Sequence, residues 1–261
     1  MGKRTDKRFH RALLSADGVA IGMWIKLPPI ESIEIAGLAG MDFVAIDLEH
    51  STISVEVAAR QIALARACGV VPLVRIPLSA RAEVGRILDA GAGGVIFPSV
   101  ETVSDAEAAV RLCKFPPYGN RGAGPTSRAG RWGLDPLAEY LANGGKNVLV
   151  IAQIESAKAA QNTQDVAGVT GIDAILVGQT DLAVSMEASP RDTVVRDLVT
   201  SIEAAATARV PLGTAVASAN GIDPELASRG YRFVVVSNDV TMLASAATRT
   251  VVEARKRLSP D

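Results

Sequence analysis

Eight short runs of branched aliphatic residues, each followed by a stretch with helical period, constrain this chain more than any other feature. They cover residues 19–25, 43–48, 70–76, 94–98, 148–154, 172–178, 212–217 and 233–237. Strands this apolar are buried on both faces, and alternation with helices predicts a parallel sheet covered by those helices. Eight such units in 261 residues match a (β/α)8 TIM barrel, with a doubly wound open sheet as the competing layout. Helix starts are read at Ser54, Ser79, Ser104 and Asp223-Pro224, and helix stops at Gly40, Gly69, Gly91 and Gly230. No Pro/Ser-rich linker, charge run or short-period repeat divides the chain, so residues 1–261 read as one domain. An N-terminal helix over residues 6–14 and a longer C-terminal helix over 240–258 are expected to flank the barrel. The longest irregular stretch, 115–133, carries Arg121, Arg128, Arg131 and Trp132. It is expected to close over a pocket or meet a neighbouring subunit.

Composition narrows the function classes. Hydrophobic residues make up 48% of the chain but aromatics only 4%, so the core must be aliphatic and nucleic-acid binding by base stacking is disfavoured. Lys plus Arg number 27 against 28 Asp plus Glu, which leaves no global field to recruit nucleic acid or an anionic membrane. An anionic ligand must be captured locally. The two cysteines, Cys68 and Cys113, form no CxxC pattern, which argues against a disulfide framework or a zinc cluster. No apolar run approaches the roughly 18 residues of a membrane span, and the basic start is not followed by a signal-peptide core. A cytoplasmic location is the expectation.

In a TIM barrel the chemistry sits at the carboxyl ends of the strands. There the second strand ends in Asp47-Leu48-Glu49-His50, the third in Arg75, the fifth in Gln153-Ile154-Glu155 and the sixth in Gly178-Gln179-Thr180-Asp181. Singly, Glu155 or Asp181 reads as a helix cap and Arg75 as a structural ion pair; jointly they converge on one rim. Two carboxylates on adjacent strands, without cysteine or histidine, suit a hard cation such as Mg2+ or Mn2+, with Co2+ a further candidate. A 2-oxo acid chelates such an ion through its ketone and carboxylate oxygens. The amides of Thr180 and Asp181 at a helix start can hold that carboxylate, and Arg75 can stabilise charge on the ketone oxygen. His50 is the candidate proton carrier, with Asp47 or Glu49 orienting it. A Schiff-base mechanism needs a lysine, and Lys26 alone lies near a strand's carboxyl end. Trp24, Phe97 and Trp132 are the candidate pocket rings.

These segments resemble the HpcH/HpaI aldolases, metal-dependent pyruvate-forming enzymes of the phosphoenolpyruvate/pyruvate-binding barrel superfamily that include 4-hydroxy-2-oxoheptanedioate and 2-dehydro-3-deoxyglucarate aldolases. The resemblance runs from Gly22-Met23-Trp24 through the D-x-E-H segment at Asp47 to His50, PLVRIP, DAGAGGVIFPSV, PPYGNRGAG, RAGRWG, Gln153-Ile154-Glu155 and Thr180-Asp181-Leu182 to Ser237-Asn238-Asp239. It implies that Glu155 and Asp181 hold the divalent metal, that Arg75 contacts the keto oxygen, and that His50 with Asp47 moves protons. It also implies that Asp89 supports the histidine, across a subunit boundary. Trp24, Gln153, Gly178 and Thr180, with Asp181, make the candidate substrate-binding set. The implied activity is reversible retro-aldol cleavage of a 4-hydroxy-2-oxo acid to pyruvate and an aldehyde through a metal-stabilised enolate. Oxaloacetate decarboxylation, cleavage of a malyl- or citramalyl-CoA ester, and a non-catalytic 2-oxo acid binder are the alternatives. The implied assembly is a homo-oligomer, a hexamer built as a trimer of dimers, with the final helix exchanged between subunits. One departure lies near the metal: Gln179 stands where the family has proline.

Overall fold

The computed structural model describes residues 18–258; the N-terminal helix expected over 6–14 lies outside them. Eight parallel strands close into a barrel in sequence order. They are β1 Ala20–Ile25, β2 Phe43–Asp47, β3 Val71–Arg75, β4 Gly94–Phe97, β5 Leu149–Ile154, β6 Ala174–Val177, β7 Leu212–Val216 and β8 Tyr231–Asn238. Every strand end agrees with the sequence reading within two residues, and β8 pairs with β1 to complete the ring. The open-sheet alternative is thereby overturned.

The helices are α1 Glu31–Leu38, α2 Val55–Cys68, α3 Val84–Asp89, α4 Val103–Cys113, α5 Leu137–Lys146, α6 Ala157–Gln161, α7 Thr163–Ala167, α8 Gln179–Ser185, α9 Thr193–Ala206 and α10 Asp239–Leu258. Ser54 caps α2 by accepting the Val57 N–H, and Gly69 ends that helix in the left-handed conformation, as its sequence predicts. Three starts differ. The Ser79 segment begins as a 3-10 turn, Leu78–Glu83, ahead of α3. The α4 cap is Thr102 rather than Ser104, because Thr102 and Asp105 form a reciprocal capping box. After β7 the segment opened by Asp223-Pro224 makes turns instead of a helix.

Alternation along the strands divides the aliphatic core into two layers. Val44, Ile46, Val74, Val95 and Val150 face the helices. Phe43, Ala45, Leu73, Ile96, Ile151, Leu176 and Val235 fill the barrel, with Trp24 packed above them. Two rings fit in this narrow interior: Phe43 and Phe233 meet edge to face, centroids 6.0 Å apart. Glycine makes room for them. A Cβ on Gly213 would lie 2.0 Å from the Phe233 ring, and one on Gly22 would lie 2.5 Å from the Phe43 ring. Gly213→Ala should therefore overpack the interior and cost about 1–3 kcal/mol in urea unfolding.

Asp239 is the one buried residue of α10; the remainder of that helix is exposed in the single chain. No helix among the described residues is long and apolar enough to cross a membrane. Segment 115–133 runs from α4 to α5, within the connection between α4 and β5, which puts it at the amino-terminal face of the barrel. The expectation that it covers the pocket of its own chain is corrected by this placement. Arg121 is instead buried there, bonded to Asp89 at 2.9 Å and stacked 4.6 Å from the centre of the Phe115 ring.

Candidate active site

The inward parity that fills the barrel also delivers polar groups to its carboxyl mouth. Above Phe43 and Ala45 the next inward residue of β2 is Asp47; above Val71 and Leu73 the next on β3 is Arg75. The two strands place Asp47 directly beside Arg75 in register. Their side chains form a two-pronged pair, Arg75 Nε to Asp47 Oδ1 at 3.0 Å and Nη2 to Oδ2 at 2.8 Å. Both are buried, Asp47 completely. Burial opposes ionisation of Asp47, but Arg75, Lys26 and the His50 amide outweigh it and hold the carboxyl well below the usual carboxylate range. On β1 the inward series ends in Trp24, whose ring lies 4.3 Å from the Arg75 guanidinium carbon.

Asp47 positions His50 through the main chain: its Oδ1 accepts the N–H of Glu49 at 3.1 Å and of His50 at 3.2 Å. The carboxylate facing the ring is that of Glu49, 3.7 Å from His50 Nε2. Asp47 anchors the turn while Glu49 faces the imidazole, so the two carboxylates left open by spacing have separate tasks. The imidazole itself is 59% exposed, open to a substrate at the mouth. Burial pushes the Glu49 carboxyl upward; Arg75 and His50 pull it down, while Glu155 and Asp47 add to the rise.

Glu155 follows β5 and is held from two sides. Its Oε1 accepts the Ser99 N–H at 2.7 Å and the Ser99 hydroxyl at 2.9 Å; its Oε2 accepts from Gln153 Nε2. Ser99, which the sequence reading did not single out, supplies both donors to that first oxygen. It follows β4 with a φ of 53°, a strained conformation for serine that aims amide and hydroxyl at one carboxylate oxygen. Gly178 leaves room for this arrangement, since a Cβ there would lie 3.0 Å from Glu155 Cβ and 3.3 Å from Gln153 Nε2. It also begins α8, whose first internal bond runs from the Leu182 N–H to the Gly178 carbonyl at 2.9 Å. The preceding amides of Thr180 and Asp181 therefore precede the helical ladder and are available to an anion. Asp181 is exposed in the first turn, and no hydrogen bond or ion pair engages its carboxylate among the described residues.

The donor set fits a hard divalent cation. Glu155 and Asp181 come from neighbouring strand ends, and among the described residues no cluster of three His, Cys, Asp or Glu side chains competes for a metal. Beside them Gln153 Oε1 is buried without a partner.

Three expected groups lie elsewhere. Asp89 ends α3 at the opposite face, paired with Arg121, so within one chain it does not reach His50. Phe97 points outward into the helix layer, one residue out of phase with the interior, and lines no part of the mouth. Trp132 is 65% exposed in the 3-10 turn Arg128–Gly133 of the amino-terminal segment, leaving Trp24 as the ring of the site.

A closed barrel that gathers carboxylates, a guanidinium and an imidazole at its carboxyl mouth defines a class: barrel enzymes that manage negative charge on a small, oxygen-rich substrate. Within that class the chain belongs to the HpcH/HpaI aldolase/citrate lyase family, whose model matches residues 20–246, and it is a carbon–carbon lyase. It is 35% identical over 176 residues to the 5-keto-4-deoxy-D-glucarate aldolase of Escherichia coli, covering 67% of this chain and 68% of that one. Among solved structures it is similar to an HpcH/HpaI aldolase/citrate lyase family protein from Burkholderia cenocepacia J2315, with TM-score 0.87 and 32% identity over 96% of this chain and 100% of that one. An HpcH/HpaI aldolase from Desulfitobacterium hafniense DCB-2 superposes with TM-score 0.87 and 28% identity, covering 95% of this chain and 96% of the other.

Proposed function

We propose that this chain is a class II aldolase that reversibly cleaves a 4-hydroxy-2-oxo acid to pyruvate, or a close 2-oxo acid, and an aldehyde. The observation that carries this reading is Arg75, fixed by Asp47 at a mouth that also holds the Glu155 and Asp181 carboxylates. A divalent cation held by Glu155 and Asp181 would supply Lewis-acid polarisation of the substrate's ketone. The chain's own groups do the remainder. Arg75 presents N–H donors to the oxygen on which charge grows as the C3–C4 bond breaks. The Thr180 and Asp181 amides receive the substrate carboxylate. His50 takes the proton of the 4-hydroxyl, directly or through one water, and Glu49 faces the ring that then carries it. Delivery of a proton to C3 releases pyruvate.

The 35% identical relative makes 5-keto-4-deoxy-D-glucarate the first substrate to assay. We further infer a homo-oligomer in which the exposed apolar residues of α10, among them Val240, Met242, Leu243, Val251 and Val252, pack on a neighbouring barrel. In such an assembly Asp89 approaches the histidine of another subunit. Pyruvate release with added Mn2+ or Mg2+, coupled to lactate dehydrogenase, tests the activity. His50→Ala should lower kcat about 10²–10⁴-fold with pyruvate binding preserved. Unchanged turnover would remove His50 from the chemistry, and no turnover on any 4-hydroxy-2-oxo acid would overturn the aldolase reading.

A further inference from the structure

We propose that Lys26 is a positioning residue for Arg75: by sharing the Asp47 carboxylate, it keeps the guanidinium's positive charge available at the mouth of the barrel. The inference rests on the enolate reading above and assigns a task to a side chain that reading leaves idle. Lys26 is the inward residue after Trp24, and its Nζ lies 2.8 Å from Asp47 Oδ2, the oxygen that also accepts from Arg75 Nη2. It donates as well to the His50 carbonyl, at 3.3 Å. Arg75 faces a second carboxylate, its Nε being 3.3 Å from Glu49 Oε2.

The cluster therefore holds two cations and two carboxylates. Side-chain exposures are 23% for Lys26, 0% for Asp47, 6% for Arg75 and 20% for Glu49, so solvent screens it weakly. Without Lys26 one guanidinium would serve two carboxylates, and the cluster would carry a net negative charge beside Glu155 and Asp181. Such an arginine is already neutralised when an enolate oxygen requires it.

The backbone shows that this ammonium is placed rather than draped over a surface. Asp239, the buried first residue of α10, accepts the N–H of Lys26 on Oδ1 at 2.9 Å and of Leu27 on Oδ2 at 3.1 Å. From the other side the fully buried Gln61 donates to the carbonyls of Leu27 at 2.9 Å and Pro28 at 3.2 Å. A lysine stem rooted between two helices loses little further freedom on pairing with Asp47.

Trp24 supplies an internal reporter, because the Arg75 guanidinium carbon stands 4.3 Å from its ring and a shifted cation changes indole emission. The chain has two tryptophans, so Trp132→Phe isolates the signal. Kinetics are measured in the native background with the divalent metal present, and emission in the Trp132→Phe background without it. Lys26→Met should lower kcat about 10–100-fold while KM for the oxo acid changes less than about threefold, and should shift the Trp24 emission. Lys26→Arg should restore both, since it retains the charge. Lys26→Gln serves if the methionine variant fails to fold by circular dichroism. Wild-type kcat and emission in Lys26→Met would overturn the proposal. So would a Lys26→Arg variant as inactive as Lys26→Met, which would mark the amine itself as reactive and call for borohydride trapping of a pyruvate adduct. Should the wild type cleave no 4-hydroxy-2-oxo acid, the aldolase reading fails by itself. The emission of Lys26→Met then still decides the link to Arg75: a shift supports it and no shift refutes it.

Discussion

Asp181→Asn should reduce retro-aldol turnover about a thousandfold, equivalent to roughly 4 kcal/mol of lost transition-state stabilisation, while leaving the unfolding curve unchanged. The separation follows from the surroundings of the side chain. Asp181 is exposed, and its carboxylate has no partner among the described residues, so the amide removes a charge without stranding a neighbour. Glu155→Gln should show an equal loss of turnover together with some loss of stability, because the new amide NH2 would point its own hydrogens at donors, Gln153 Nε2 on one side or the Ser99 N–H and hydroxyl on the other, which then lose their acceptor. Dialysis of the wild type against EDTA should abolish activity, and Mn2+ or Mg2+ should restore it. The same addition should not rescue Asp181→Asn. Full turnover by metal-free protein would remove this role from both carboxylates.

How much of this was legible in the chain depends on how local each cause is. Strand positions follow from short continuous runs of branched aliphatic side chains, a signal contained within each run, which explains why all eight fall where their composition puts them. Side-chain parity then brings Trp24, Asp47, Arg75, Gln153 and Gly178 to one mouth, each an inward step above an apolar layer. What parity does not carry is which neighbour each group selects. The Asp47–Arg75 pair depends on β2–β3 register, and the Lys26–Asp47 contact on the path of the loop after β1. Lys26 read alone is a Schiff-base candidate; beside Asp47 it is half of an ion pair. Ser99 escaped for a related reason, since its part arises from a positive φ and not from its residue type. The α4 start shows the reverse case. Thr102 and Asp105 carry a capping-box spacing visible in the sequence, and the reciprocal bonds favour it over the nearer Ser104. Asp89, expected to reach a histidine across a subunit boundary, and segment 115–133, expected to close over a pocket or meet a neighbouring subunit, both belong to helix-to-strand connections, which a barrel places at the face opposite its mouth, so only the readings that involve a second subunit fit this placement.

Asp47→Ala should destabilise the fold by about 3–5 kcal/mol, the largest effect on stability expected from a single rim residue. The loss is not that of one hydrogen bond. Arg75 would remain buried with Glu49 as its remaining carboxylate, Lys26 would lose its ion pair, and the amides of Glu49 and His50 would lose their common acceptor. Asp47→Asn keeps the shape but presents N–H donors to two cations, so it should fall between alanine and wild type. The pH dependence has a definite sign. The folded carboxyl titrates below its ordinary value of 3.8, so the unfolded chain binds its proton first on acidification. Asp47's contribution is thus complete above about pH 5 and decays as pH falls through about 4 toward the folded value. Urea unfolding of wild type and Asp47→Ala at several pH values between 3 and 8 measures this directly. The gap between the two curves should stay constant from pH 5 upward and narrow below 4. A gap that widened on acidification would mean that the buried pair does not hold Asp47 ionised in the native state.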